Sequence, residues 1–101
     1  MYRIMLTPEA QQDIDGHIDY IFARNPQGAQ KVYDDIINRI RKLRDFPLVS
    51  RIGALHGTRE VFTRYKYRVV FEIIGEEIYI LHVRHGRQQW PPEEEEEDEP
   101  A

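Results

Sequence analysis

Apolar and polar residues alternate over residues 2–7, with Tyr2, Ile4 and Leu6 on one face and Arg3 and Met5 on the other, the period of a β-strand. At Thr7-Pro8-Glu9 the period changes. A capping hydroxyl, a proline at the first helical position and an acid in the first turn together open a helix. Its apolar stripe runs through Ala10, Ile14, Ile18, Ile21 and Phe22, with Gly16 as a weak helix former inside it. Asn25-Pro26 ends this helix and opens a second, because proline keeps the preceding residue out of the helical region and asparagine is a good cap. The second helix has the most regular pattern in the chain. Ala29, Val32, Tyr33, Ile36, Ile37, Ile40 and Leu43 mark one face, and Lys31, Asp34, Asp35, Arg39, Arg41 and Lys42 fill the rest. So short a link between two amphipathic helices predicts an antiparallel hairpin.

Phe46-Pro47 closes the second helix, and residues 47–57 read as an irregular connection carrying Arg51, Gly53, His56 and Gly57. Three strand-like runs follow at 59–63, 66–74 and 78–85, with Gly75-Glu76-Glu77 as the turn between the last two. The order β-α-α-β-β-β predicts an α+β domain in which the helical hairpin packs on one face of a small, mainly antiparallel sheet and the other face stays open. Alternation sets Tyr67, Val69, Phe71 and Ile73 against Lys66, Arg68, Val70 and Glu72 on the long strand. On the last strand it sets Tyr79, Leu81, Val83 and His85 against Ile78, Ile80, His82 and Arg84. If the first set of each strand meets the helices, Arg68 and Arg84 line a shallow basic trough on the open face, beside His82.

Length and composition then bound the picture. A chain of 101 residues is one domain with one modest core, here residues 1–91, followed by an acidic tail at 92–101 that is expected to be disordered. The absence of cysteine excludes disulfides, thiolate metal sites and a thiol nucleophile. No apolar run reaches transmembrane length and the first residues lack a signal-type apolar segment, so a soluble cytoplasmic protein with no membrane partner is expected. The formal charge of −4 conceals an asymmetry. Seven of the eighteen acids lie in residues 93–99, which leaves eleven acids against fourteen Lys and Arg in a mildly basic body.

Strand arginines in such number suit an anion, a carboxylate partner or RNA. Cleavage of RNA by its own 2′-hydroxyl needs a base, an acid and cations around the developing charge. His82, His85 and Tyr65 are candidates for the first two roles, and Arg59, Arg68 and Arg87 for the third. Each has a structural alternative. His85 precedes a glycine at a strand end, His56 lies in a loop, Tyr65, Tyr67 and Tyr79 suit a strand's core or rim, Trp90 suits packing of the chain end, and Arg59 can pair with Glu72 or Glu60. His82 and His85 do not share a strand face and no carboxylate joins them, so no metal site is expected. Nor do the scattered glycines make a phosphate loop, so no cofactor is expected either.

The element order, Gly57-Thr58-Arg59-Glu60, Tyr67-Arg68-Val69-Val70-Phe71 and the closing His85-Gly86-Arg87-Gln88-Gln89-Trp90-Pro91 together resemble the RelE/ParE superfamily of toxins from type II toxin–antitoxin modules. The helical hairpin with Tyr20-Ile21 and Asn25-Pro26 is more similar to the ParE, or plasmid-stabilisation, branch. That resemblance implies a toxin that blocks DNA gyrase without cutting anything and is neutralised by a small antitoxin with an acidic amphipathic segment, in a hetero-oligomer. Target-binding residues would then be Arg59, Arg68, Arg84, Arg87 and Trp90. The ribonuclease branch implies instead a ribosome-dependent cut in mRNA, with Arg68 matching its strand arginine, Arg87 the arginine after the last strand, Arg59 a basic position on the preceding strand, and His85 beside them. Val61 and Thr63 stand where that branch has lysines, and the acidic tail departs from its C-terminal segment. Whether the chain is an enzyme stays open at this point, as does a non-toxic binding domain of the same fold. The acidic tail would screen the basic trough in cis.

Overall fold

A computed structural model describes residues 1–92; the acidic run from 93 onward, and the disorder expected of it, lie outside the described residues. The order of elements is β1 (Arg3–Leu6), α1 (Pro8–Phe22), α2 (Pro26–Lys42), β2 (Arg51–Ile52), β3 (Arg59–Phe62), β4 (Tyr67–Ile74) and β5 (Glu77–His85). The strands form one sheet in the order β1-β5-β4-β3-β2, parallel between β1 and β5 and antiparallel elsewhere. The connection predicted as irregular thus contains a two-residue edge strand, β2, too short to leave any periodicity in the sequence.

Both helix starts form as their residues dictate. The Thr7 hydroxyl accepts the Ala10 N–H at 3.2 Å, and the Asn25 amide oxygen accepts the Gly28 N–H at 3.0 Å, each satisfying an otherwise orphaned donor. Ala10 and Ile14 of α1 and Ile36 and Ile40 of α2 pack on Val69, Phe71, Ile78 and Ile80 of the sheet. Full burial of one such branched or aromatic side chain contributes about 1.5–3 kcal/mol. Phe22 and Tyr33, assigned to the apolar stripes by spacing, lie 58% and 42% exposed instead.

The face of β5 departs from simple alternation. Val70 pairs with His82 and Phe71 with Ile80, so Leu81 is an extra residue in the ladder. A bulge of this kind shifts the phase of every side chain beyond it. Ile78 and Ile80 therefore face the core before the bulge and Val83 after it, all three fully buried; of the predicted set Tyr79, Leu81, Val83 and His85, Val83 alone is buried there. Beyond Leu81, β5 also outruns β1 and would present a bare edge. Helix α1 covers it. The Asp13 carboxylate accepts the Val83 N–H at 2.9 Å, and His17 Nε2 donates to the Val83 carbonyl at 2.7 Å.

The second sheet face is not open. Val70 is fully buried although it lies outside the helix-facing core. Its cross-strand neighbours are Glu60 and His82. The Trp90 indole donates to Glu60 at 3.0 Å and lies 5.4 Å from the His82 ring, so the segment after β5 folds back across the sheet and brackets Val70. No helix among the described residues is long and apolar enough to cross a membrane.

Candidate functional site

The five arginine and tryptophan candidates do not form one cluster. Arg59 shares its sheet face with Val61 and the helices, where it donates to the Ser50 hydroxyl at 2.7 Å and the Ser50 carbonyl at 3.2 Å. Arg68 lies on the opposite face, because its β3 partner is Phe62, three residues beyond Arg59. The grouping of Arg59 with Arg68 and Arg87 is thereby corrected. That grouping came from the family resemblance, which carries no strand register, and alternation puts residues 59 and 68 on opposite faces.

The expected basic trough has a carboxylate at its centre. Glu60, 2% exposed, accepts from Arg68 Nη1 at 2.7 Å, from the Ala54 N–H at 2.9 Å and from Trp90 Nε1 at 3.0 Å, and Arg51 Nη2 stands 3.7 Å away. Phe62 is flanked by the guanidinium groups of Arg51 at 5.0 Å and Arg68 at 4.8 Å. Arg84 lies 3.6 Å from Asp13 and 5.5 Å from the Trp90 ring, and His82 shares the same Asp13 oxygen at 3.6 Å. The trough is therefore a Trp-capped network in which Arg68 faces Glu60 and Arg84 faces Asp13.

Burial pushes the Glu60 carboxyl up, but the Ala54 N–H, the Arg68 charge and the Trp90 indole outweigh it together and hold its pKa below the ordinary carboxylate value. A group lowered in the folded state stabilises the fold above its unfolded pKa, about 4.3 for Glu, and that contribution is lost as pH falls through the lowered folded value. Trp90 is the sole tryptophan, so its fluorescence reports the network. The expected result is an emission change below the usual carboxylate range in the wild type and its absence at that pH in Glu60→Gln. Identical acid titrations of the two would show that Glu60 does not hold Trp90.

Three of the cations that make no salt bridge among the described residues, Arg64, Lys66 and Arg87, gather at one end of the sheet. Arg64, Tyr65 and Lys66 form the turn between β3 and β4, and His85, Gly86 and Arg87 leave β5 beside it; with Phe62 they line a groove of about 650 Å³. Helix α2 fixes the turn from below, where the Asp35 carboxylate accepts the N–H of Arg64 at 3.0 Å and of Tyr65 at 2.8 Å. Lys66 adopts φ +72°, which carries the chain into β4 and turns its carbonyl toward Gly86. The Gly86 N–H donates to that carbonyl at 2.8 Å, and a Cβ on residue 86 would stand 2.8 Å from the same oxygen. This contact accounts for the glycine in His-Gly-Arg. Gly86→Ala is expected to cost about 1–3 kcal/mol in urea denaturation, as other overpacking changes do; a loss below about 0.5 kcal/mol would mean that the two segments slide apart freely.

His85 Nδ1 accepts the Arg87 N–H at 3.0 Å, and the ring packs edge-on against Tyr67 at 5.0 Å. Burial first, and the Asp35 carboxylate second, push the Tyr67 phenol up, so it stays protonated at neutral pH. Among the described residues, Arg64, Lys66 and Arg87 make no salt bridge. Three cations without a carboxylate among the described residues, with Phe62 and Tyr65 in the same groove, make a surface suited to an acidic or polyanionic partner. Of this cluster only His85 and Arg87 were assigned roles from the sequence at this end of the sheet, with Tyr65 as an acid–base candidate. Arg64 and Lys66 were overlooked, because Lys66 was read into the long strand and Arg64 fell in the gap between two strand-like runs. Glu60 was overlooked as a hub, although a carboxylate inside an apolar strand signals a buried partner.

Over residues 4–90 the chain matches the family described as ParE toxin of type II toxin-antitoxin system, parDE. It is 32% identical over 90 residues to the protein named "Putative toxin Y4kP" of Sinorhizobium fredii, covering 88% of this chain and 93% of that one. Its fold is similar to that in the chromosomal ParDE toxin–antitoxin system of P. aeruginosa, with a TM-score of 0.75, 24% identity, and 84% and 96% of the two chains covered. It is also similar to the toxin–antitoxin complex RelBE2 of Mycobacterium tuberculosis, with a TM-score of 0.53, 19% identity, and 83% and 96% covered. The YoeB-YefM complex of Staphylococcus aureus gives 0.52, 16% identity, and 84% and 97% covered. With its helical hairpin, its five-stranded sheet and a family match spanning nearly all the described residues, the chain belongs to the ParE toxins of type II toxin–antitoxin systems.

Proposed function

We propose that the protein arrests growth by binding an essential target, DNA gyrase, through the groove at the end of the sheet, and that a small antitoxin with an acidic amphipathic segment neutralises it in a hetero-oligomer. The observation that carries this reading is the division of the cations. Arg68 is committed to Glu60, Arg59 to Ser50 on the other sheet face, and Arg64, Lys66 and Arg87 remain for a partner. Phosphodiester cleavage would need several cations converging on one phosphate with a base and an acid in reach. The two strand arginines assigned to that role lie on opposite faces, which favours binding over cutting. An antitoxin partner is supported by the similarity to ParDE and YoeB-YefM assemblies. Such a segment would gain affinity from the groove's charge and from ordering as it binds.

The test uses purified protein with gyrase and relaxed plasmid, together with mapping of transcript 5′ ends after induction in bacteria. Loss of supercoiling with no new transcript ends is expected. New ends at ribosome-occupied codons, with supercoiling intact, would replace this reading with the ribonuclease one. Growth arrest with neither change would point to another target.

A further inference from the structure

Four of the seven residues from Phe46 to Ile52 carry large apolar side chains that the fold leaves in solvent. Phe46, Leu48, Val49 and Ile52 are 62%, 64%, 68% and 73% exposed. The segment is nevertheless held in place. The Val49 N–H donates to the Phe46 carbonyl at 3.2 Å and the Ser50 hydroxyl to the Pro47 carbonyl at 2.7 Å, with Pro47 buried beneath. From β3, Arg59 donates to the Ser50 hydroxyl and carbonyl and so fastens the turn to the sheet. Antiparallel pairing of Arg51 with Glu60 carries the residues before Arg51 alongside those after Glu60, toward Phe62 in the wall of the groove. The Arg51 guanidinium lies over the Phe62 ring at 5.0 Å and joins the two. We propose that Leu48 and Val49 form, with Phe62, the apolar half of the groove's binding surface, and that the occupant is a segment of another protein in which aliphatic or aromatic anchors stand beside acids. Their role rests on the groove being the surface through which the toxin acts.

Each half of the surface selects part of that chemistry. Arg64, Lys66 and Arg87 have no carboxylate among the described residues and favour acids. Leucine and valine offer no flat ring on which a base can stack, and aliphatic carbon gains nothing from a phosphate. They gain from apolar carbon that shuts out water, and apolar anchors inside a charged rim are the usual anatomy of a protein–protein contact. Single exposed apolar residues are ordinary, but several together on an anchored turn make a patch of the kind that marks a contact surface. A second copy of this chain is the poorer occupant, because it brings the same three cations against the first. Since Pro47, Ser50 and Arg59 already fix the turn, its backbone loses little freedom on binding.

Growth arrest after induction of the full-length protein needs no knowledge of the target and reads both halves. Leu48→Ser with Val49→Ser is expected to raise surviving colonies about tenfold or more, as loss of buried anchors does. The thermal melt of the purified variant should stay with the wild type, because both side chains are exposed. Leu48→Gln with Val49→Thr, closer in volume, should give the same result and decides the matter if the serines loosen the turn. A folded Leu48/Val49 variant that arrests growth fully, beside a harmless Arg64→Ala/Arg87→Ala variant, would overturn the proposal and leave a bare polyanion such as nucleic acid as the ligand. Full arrest by both variants would instead remove the groove from the mechanism, and Leu48 and Val49 with it. Two further arms address the other occupants. Wild-type binding to phosphatidylglycerol vesicles that the serine variant lacks, or a wild-type dimer in sedimentation that the variant loses, would overturn the protein segment in favour of a membrane or a second copy.

Discussion

Replacing Glu60 by glutamine is expected to lower stability by about 3 kcal/mol or more, the largest loss of any isosteric change on this sheet face. The carboxylate is the common acceptor for Arg68, Ala54 and Trp90. Removing one partner of a buried pair strands the other charge, which costs about 3–5 kcal/mol, and the slight exposure of Arg68 places the loss near the lower end. Urea denaturation read by Trp90 fluorescence measures it. Arg68→Met in the Glu60→Gln background should recover part of the loss, because the stranded charge is gone. A single-variant loss within about 0.5 kcal/mol, as for an ordinary surface change, would mean that Glu60 holds nothing together.

The second large effect is on growth. Arg64→Ala with Arg87→Ala should abolish growth inhibition while each substitution changes stability by about 0.5 kcal/mol or less, since neither side chain makes a salt bridge among the described residues. Colony counts after induction, set beside thermal melts of the purified variants, separate the two effects. Arg68→Ala should also reduce toxicity, but through a fall in melting temperature, because it leaves Glu60 buried without its main cation. A fully toxic, folded Arg64/Arg87 variant would remove the groove from the mechanism.

The helices were legible in the sequence because their stops and starts are local chemistry. Thr7-Pro8 and Asn25-Pro26 cap within three residues and need no tertiary information. The long strands were legible for the same reason. The second face of the sheet was not. Its state depends on Trp90 meeting Glu60, thirty residues away, and no periodicity encodes that encounter. The bulge at Leu81 was equally hidden, since Ile78, Ile80, Leu81 and Val83 fit either phase of an apolar strand. For the site, arginine count was informative but arginine pairing was not. Arg68 and Arg87 look alike along the chain, and only Glu60 at 2.7 Å from the former separates a structural cation from an available one.

The parallel pairing of β1 with β5 joins Arg3 to Glu77, so the first strand made must wait for the last. Because β5 lies inside the sheet, between β1 and β4, the ladder cannot close until residues 77–85 have been made. The groove needs His85 and Arg87, and the cap over Glu60 needs Trp90. Neither the groove nor the network around Glu60 can therefore form before residues 85–90 have been made, so both depend on the last-made part of the described chain.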